Sequence, residues 1–279
     1  MKITCWGARG SIPVSGKEYV QYGGDTTCIE VRSKDDDVII IDAGTGMRKL
    51  GNKLLAANKR TCSVLFTHAH WDHLMGFPFF KPIYMKGTKI SMYGCPYAQE
   101  SVKEILSKAM VAPYFPVDFS QLQAEISTHG VCEETFDIGP IHIEPIQLNH
   151  PNQGMGYKLT EDGKSFVFLT DNELSLKHTG GAEYKDYVRF AAGADLLIHD
   201  SEYTEAQYAF TKGWGHSIYT DALRLAMDAK VNQFGLFHHN QERSDADIDQ
   251  MVKDCSRIAA EGSSAVRSFA TEAGMEIEL

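Results

Sequence analysis

A chain of 279 residues with 43% hydrophobic content is long enough to bury one large core, and neither a composition shift nor a linker divides it into halves. Its 27 basic and 37 acidic side chains leave a formal charge of −10, which argues against a sequence-independent clamp on a nucleic acid polymer. The opening Met1-Lys2-Ile3-Thr4-Cys5-Trp6 has no apolar signal core and no later run is long enough for a bilayer, so a cytoplasmic protein without a membrane partner is expected.

In chain order, short apolar or alternating runs predict strands at Ile3 to Trp6, Cys28 to Val31, Val38 to Ile41 and Ser63 to Phe66, with a helix from Met47 to Asn58. Lys89 to Tyr93 and Ile141 to Leu148 also read as strands. Between them, residues 94–135 read as a helical insertion, with helices near Gln99 to Met110 and Gln121 to Ile126, serving as a lid or as the arm of a homodimer. Strands follow at Gly156 to Leu159, Ser165 to Leu169, Leu196 to His199 and Phe234 to Phe237. Helices fall near Ala182 to Ala192, Ile218 to Ala229 and Asp245 to Ala260, the last with Ser244 as its N-cap. The order of elements is α/β. The six cysteines (Cys5, Cys28, Cys62, Cys95, Cys132, Cys255) are scattered without a CxxC pair and are expected to be free thiols.

The chemistry gathers where strands stop. Thr67-His68-Ala69-His70-Trp71-Asp72-His73 follows the run Ser63 to Phe66, and residues two apart on an extended strand share a side. His68 and His70 can therefore converge on one ion while Asp72 and His73 turn toward a second. Asp42, His150, Asp171 and His238 each follow a different apolar run, so distant segments deliver the same ligand types to strand ends. A set mixing imidazole and carboxylate suits Zn2+, and Mn2+ or Fe would also fit, because no cysteine in these motifs demands a soft metal.

On these residues the chain resembles the metallo-β-lactamase superfamily, whose members fold as a four-layer αββα sandwich and carry five metal-site motifs in this order. The resemblance implies that His68, His70 and His150 hold one divalent ion, that Asp72, His73 and His238 hold another, and that Asp171 bridges them. It implies that Asp42 orients a histidine without touching metal. His239 is a rival for His238, and the strand-terminal Leu-x-His pattern favours His238.

Further segments resemble the phosphodiesterase branch, which includes RNase Z and cyclic nucleotide phosphodiesterases. These are Gly7-Ala8-Arg9-Gly10-Ser11-Ile12-Pro13 and Gly23-Gly24-Asp25-Thr26-Thr27-Cys28. Leu197-Ile198-His199-Asp200-Ser201-Glu202-Tyr203 resembles that branch's His-Glu-Ala-Thr motif, with aspartate in place of glutamate. Gly215-His216-Ser217 resembles His-Ser-Thr, with Ile218 in place of threonine. The resemblance implies that Asp200 holds His216, which protonates the departing oxygen, and that Asp72 and Asp171 complete the catalytic set with two cations sharing a hydroxide.

Residues 151–170 leave room for two strands and a turn but no long tRNA arm, which favours a small anionic phosphodiester such as a cyclic nucleotide. An RNase Z-like RNA endonuclease and a lactone or thioester hydrolase are the alternatives within enzymes. Outside them stand a non-catalytic metal-bound scaffold and a di-iron oxygen or redox sensor, and His70, where flavin-coupled di-iron proteins place glutamate, speaks against the redox form. Tyr203, Phe210 and Trp214 are candidates for stacking a base, and Arg9 for contacting phosphate or pairing with a surface carboxylate. His129, His142 and His178 match no motif, and His199 reads as support for the Asp200 loop.

Overall fold

The structure is a computed structural model that describes residues 1–95 and 101–279. The first part of the chain forms β1 (Lys2–Gly7), β2 (Cys28–Arg32), β3 (Val38–Ile41), α1 (Met47–Ala56), β4 (Thr61–Leu65), β5 (Lys89–Gly94), α2 (Val102–Ala109) and β6 (Glu125–Gly130). There follow β7 (Phe136–Ile138), β8 (Ile141–Gln147), β9 (Met155–Glu161), β10 (Lys164–Leu169), α3 (Tyr184–Phe190), β11 (Leu196–Asp200), α4 (Glu205–Thr211) and α5 (Tyr219–Asp228). The chain closes with β12 (Gln233–Phe237), α6 (Asp245–Glu261), β13 (Arg267–Ala270) and β14 (Glu276–Glu278).

Two seven-stranded sheets result, in the orders β14-β1-β2-β3-β4-β5-β6 and β13-β12-β11-β10-β9-β8-β7. Strands β3 to β6 run parallel to one another, as do β10 to β13. Parallel strands need cover on both faces, which is why their sequences are nearly continuous apolar runs. In β3, Ile39 and Ile41 enter the core between the sheets while Val38 and Ile40 face α1. In β10, Phe166 and Phe168 join the same central core while Val167 and Leu169 face the helices of the other side. Alternation within a fully buried strand thus builds the αββα layering.

The helices show the complementary pattern. Helix α1 buries Met47, Leu50 and Leu54, and α6 buries Ile248, Met251, Cys255 and Ala259, spacings of three and four that put one stripe against a sheet. Ser244 caps α6 as expected, its side chain accepting from the Asp247 amide while Asp247 reaches back to the Ser244 amide.

Three expectations are corrected. Residues 121–126 form no α-helix. A short 3-10 turn at Phe119–Gln121 leads into β6, whose Ile126 and Thr128 extend the first sheet alongside β5, so the segment read as a helical insertion also carries an edge strand. Its helix begins at Val102, and residues 99 and 100 of the expected helix lie outside the described residues. Cys95 and Cys132 form a disulfide instead of remaining thiols, because the β5–β6 register sets Gly94 opposite Gly130 and brings the following residues within a Cα separation of 4.6 Å. The other four cysteines are free and buried. Among the described residues no helix is long and apolar enough to cross a membrane.

The central core sets the stability of the sandwich. Phe168 is fully buried and meets Phe237 edge-on at 5.2 Å between ring centroids, so Phe168→Ala is expected to destabilise the fold by about 3–5 kcal/mol. The measurement is the urea midpoint, which should fall with an unchanged slope.

Candidate metal centre

The parallel strands of both sheets deliver their carboxyl ends to one cleft. Asp42 follows β3, the His68–His73 segment follows β4, Asp171 follows β10, Asp200 closes β11 and His238 follows β12. Each sheet's strands must stop and turn there, and the turn is sharp: Asp42, Asp171 and His238 have φ of 62°, 50° and 56°. Left-handed backbone disfavours most L-residues but is tolerated by Asp, Asn and His, the types present. Close approach also demands glycine at two points. A Cβ at Gly10 would lie 2.2 Å from His238 Nδ1, and one at Gly215, whose φ is 93°, would lie 2.0 Å from His150 Nδ1.

The converging side chains form three overlapping donor groups: His68, His70, His150 and Asp171; Asp72, His73 and His238; and, sharing His238 with the second, Asp200, Glu202, His216 and His238. The first two are the sets expected from the sequence. Asp171 lies between them. Its Oδ2 is 3.5 Å from His68 Nε2 and 4.0 Å from His150 Nε2, while its Oδ1 is 3.3 Å from His73 Nε2 and 3.4 Å from His238 Nε2. Asp72 Oδ2 sits 3.3 Å from His73 Nε2 and 3.2 Å from His238 Nε2 and accepts from the Ser11 amide. His70 Nδ1 and His150 Nε2 approach to 3.0 Å.

The far nitrogens are tied down. His73 Nδ1 meets Asp42 Oδ2 at 2.8 Å, and that carboxylate also accepts from the Thr67 amide and hydroxyl. His150 Nδ1 donates to the Gly215 carbonyl at 3.0 Å. His238 Nδ1 lies 2.8 Å from Glu202 Oε2. His239 points elsewhere, its Nε2 donating to the Thr271 carbonyl, and burial pushes it down to about 3, so it stays neutral.

Cations fit this donor set. Nε2 of His68 and of His73 are buried with no hydrogen-bond partner; on His68, kept neutral by burial, it is a lone pair with no donor to accept from, and on His73 it faces carboxylates, so positive charge between these groups would satisfy both. Charge agrees. Burial alone would push His73 down, but Asp72, Asp171 and Asp42 outweigh it and hold the ring's protonated form well above the usual histidine range. His238 behaves alike: burial would lower it, and Asp171, Asp72 and Glu202 overcome that. His68 and His150, buried with less compensation, are pushed down, His150 to about 3.

Beside this centre His216 stacks on His238 with ring centroids 4.7 Å apart, and its Nδ1 lies 3.1 Å from Asp200 Oδ2 and 3.4 Å from Glu202 Oε2. Burial would lower His216, yet Glu202 and Asp200 raise it to about 9. The shorter aspartate reaches because Asp200 also accepts from the amides of Asn172, Glu202 and Ser217, which draw the surrounding loops inward.

Sequence reasoning missed Glu202, which adjoins both His216 and His238, and Glu173, a buried carboxylate on the same side. A glutamate two residues past the strand-end Asp200 was the signal for the first. Other expectations change with burial. Tyr203 is 4% exposed and cannot stack a base, whereas Phe210 and Trp214 are largely exposed. Of the two roles expected for Arg9, the structure shows the pairing with a carboxylate: its Nη2 lies 3.9 Å from Oδ1 of Asp245, a partly exposed residue at the start of α6. Arg9 itself is buried and donates to the carbonyls of Gly23, Asn240 and Arg243, locking the opening loop to the segment after β12. His178 pairs with Glu173, His142 pairs with Asp137 at the surface, His129 is exposed and stacks on Tyr93, and His199 bonds the Asp200 carbonyl.

An αββα sandwich with paired imidazole and carboxylate clusters at its strand ends defines a class, the metal-dependent hydrolases. The chain belongs to the beta-lactamase superfamily, whose domain matches residues 38–239 and so spans every donor from Asp42 to His238. It is 23% identical to ribonuclease Z of Picrophilus torridus, with 88% of each chain covered. Among solved structures, a diphosphatase of the PhnP family superposes with a TM-score of 0.71 at 15% identity, covering all of this chain and 97% of the other. The short form of human tRNase Z superposes at 0.68 with 19% identity, covering all of this chain and 99% of that one.

Proton and metal compete for the same nitrogens. Because the surrounding carboxylates favour the protonated forms of His73 and His238, cation uptake should expel protons, and apparent affinity should strengthen as pH rises and weaken as it falls. Titration calorimetry in buffers of different ionisation enthalpy measures this. Uptake with no proton release would contradict the charge state deduced for these two rings.

Proposed function

We propose that this protein is a phosphodiesterase acting on a small anionic phosphodiester such as a cyclic nucleotide. The observation that carries the reading is His216, backed by Asp200 through Nδ1 and stacked against His238 at the edge of the donor clusters. In the proposed arrangement His68, His70 and His150 hold one divalent cation and Asp72, His73 and His238 the other, with Asp171 between them. Zinc suits this set, and manganese or iron would also fit. When bound, such cations supply an activated water and neutralise charge on the phosphoryl oxygens.

The chain's own residues do the rest. Asp42 and the Gly215 carbonyl fix the rings of His73 and His150 through Nδ1, so that Nε2 of each is presented to the centre. His216, its Nδ1 taken up by Asp200, has Nε2 left to carry a proton to the departing ribose oxygen, which is a poor leaving group as an alkoxide.

Substrate size is argued from the rim. The His150-to-Asp171 interval is filled by the β9–β10 hairpin, closed through Glu161 and Lys164, and the chain carries a charge of −10. Trp71 stands between His70 and Asp72 and is 56% exposed, and Trp214 precedes Gly215 and is 63% exposed. The contacts from His70 to His150 and from His150 to Gly215, each 3.0 Å, tie the two backbones together across the cleft. Exposed indoles on the residues that adjoin His70 and Gly215 in the sequence favour a substrate with a planar base. A second reading, cleavage of RNA, is favoured by the curated relatives named ribonuclease Z.

Purified protein loaded with zinc, manganese or iron is to be offered cyclic nucleotides, bis(p-nitrophenyl) phosphate, RNA and a lactone. Cyclic nucleotide turnover is expected, abolished by His68→Ala. His216→Ala should lower kcat on the cyclic nucleotide by about 100-fold or more with metal content unchanged, and should spare the nitrophenyl ester, whose leaving group needs no proton. Trp214→Ala should raise KM for the cyclic nucleotide on the order of 10-fold. Cleavage of RNA without turnover of cyclic nucleotides would favour the second reading, and a full kcat in His216→Ala would remove the leaving-group role.

A further inference from the structure

Glu173 lies two residues beyond Asp171 and is completely buried. Its carboxylate accepts four hydrogen bonds. Oε1 takes the Tyr208 hydroxyl at 2.6 Å and the Gly213 amide at 2.8 Å, and Oε2 takes His178 Nε2 at 2.7 Å and the Gly215 amide at 2.9 Å. Three of these donors sit on one surface excursion, residues 204–216, which leaves the sheet after β11 and returns at α5.

From residue 204 to 214 no residue of that excursion is buried. Helix α4 within it contributes no buried side chain, and Phe210 and Trp214 point largely to solvent. Its position therefore depends on polar ties, Glu173 at one side and Arg243 to Gln207 at another. The Glu173 tie is the one at the chemistry. Gly215 bonds in both directions, its amide to Glu173 and its carbonyl to His150 Nδ1, and the next residue is His216, against Asp200. A shift of this peptide would move both contacts at once.

We infer that Glu173 is a positioning residue: it clasps the 204–216 excursion to the strand end so that the Gly215 carbonyl meets His150 and His216 meets Asp200. Four donors saturate the carboxylate, so a glutamine, whose amide nitrogen cannot accept, must lose the bonds on one side of the group. The role for His216 rests on the phosphodiesterase reading, while the clasp itself does not.

The test compares Glu173→Gln, His216→Ala and the double variant on a cyclic nucleotide and on bis(p-nitrophenyl) phosphate, alongside metal content and amide hydrogen exchange. Glu173→Gln is expected to lower kcat on the cyclic nucleotide by about 10- to 100-fold and the nitrophenyl ester far less. The double variant should be little worse than His216→Ala alone, since both act through one group. Exchange at Gly213 and Gly215 should quicken at least about 10-fold as local opening becomes easier. An unchanged kcat on the cyclic nucleotide, or unchanged exchange at the two glycines, would overturn the inference. If the wild type hydrolyses neither phosphodiester, the phosphodiesterase reading fails, and the exchange comparison still decides the clasp. Should Glu173→Gln fail to fold, Tyr208→Phe removes a single donor and is expected to shift the same readouts in the same direction by a smaller factor.

Discussion

A single carboxylate, Asp171, faces two sets of imidazoles at once, one oxygen toward His68 and His150 and the other toward His73 and His238. It does so where water is scarce: the residue is 2% exposed, and ring nitrogens around it lack partners. Gathering anionic oxygens and lone pairs in such a place is costly unless positive charge is shared among them. Much else in the molecule answers this constraint, from the convergence of strand ends out of both sheets to the glycines that let His238 and His150 come close.

A common geometry runs through the surrounding layer. His68, His73, His150, His216 and His238 all commit Nδ1 to an oxygen, respectively of Thr67, Asp42, Gly215, Asp200 and Glu202. With one nitrogen engaged outward, the other faces the cleft in a fixed tautomer and orientation. His70 is reversed, with Nδ1 toward His150, and it is also the more open of the donors. Trp71, the residue after His70, is exposed.

Most of the fold was legible because its signals are local. Apolar runs of strand length, amphipathic spacing in α1 and α6, and the Ser244 cap all act within a few residues. What escaped depends on partners far away. Strand β6 has Ile126 as its one large apolar residue and is recognisable only beside β5, and the Cys95–Cys132 bridge follows from that pairing and from nothing in the cysteine spacing. The same division holds at the site. His68, His70, Asp72 and His73 stand together in the sequence, and Asp42, His150, Asp171 and His238 end strands that could be read. Glu173 and Glu202 look like ordinary loop acids until the tertiary fold wraps donors around them, and Tyr203 was misjudged because a sequence does not show which loops another loop covers.

The left-handed turns at Asp42, Asp171 and His238 limit how this centre can be altered. A redesign that exchanged a donor for threonine or another β-branched residue would meet backbone resistance of about 1–3 kcal/mol before any coordination chemistry were considered. Asparagine, aspartate and histidine are the substitutes such a bend accepts. The palette of ligands available here is therefore narrowed by main-chain handedness, independently of which ion the pocket prefers.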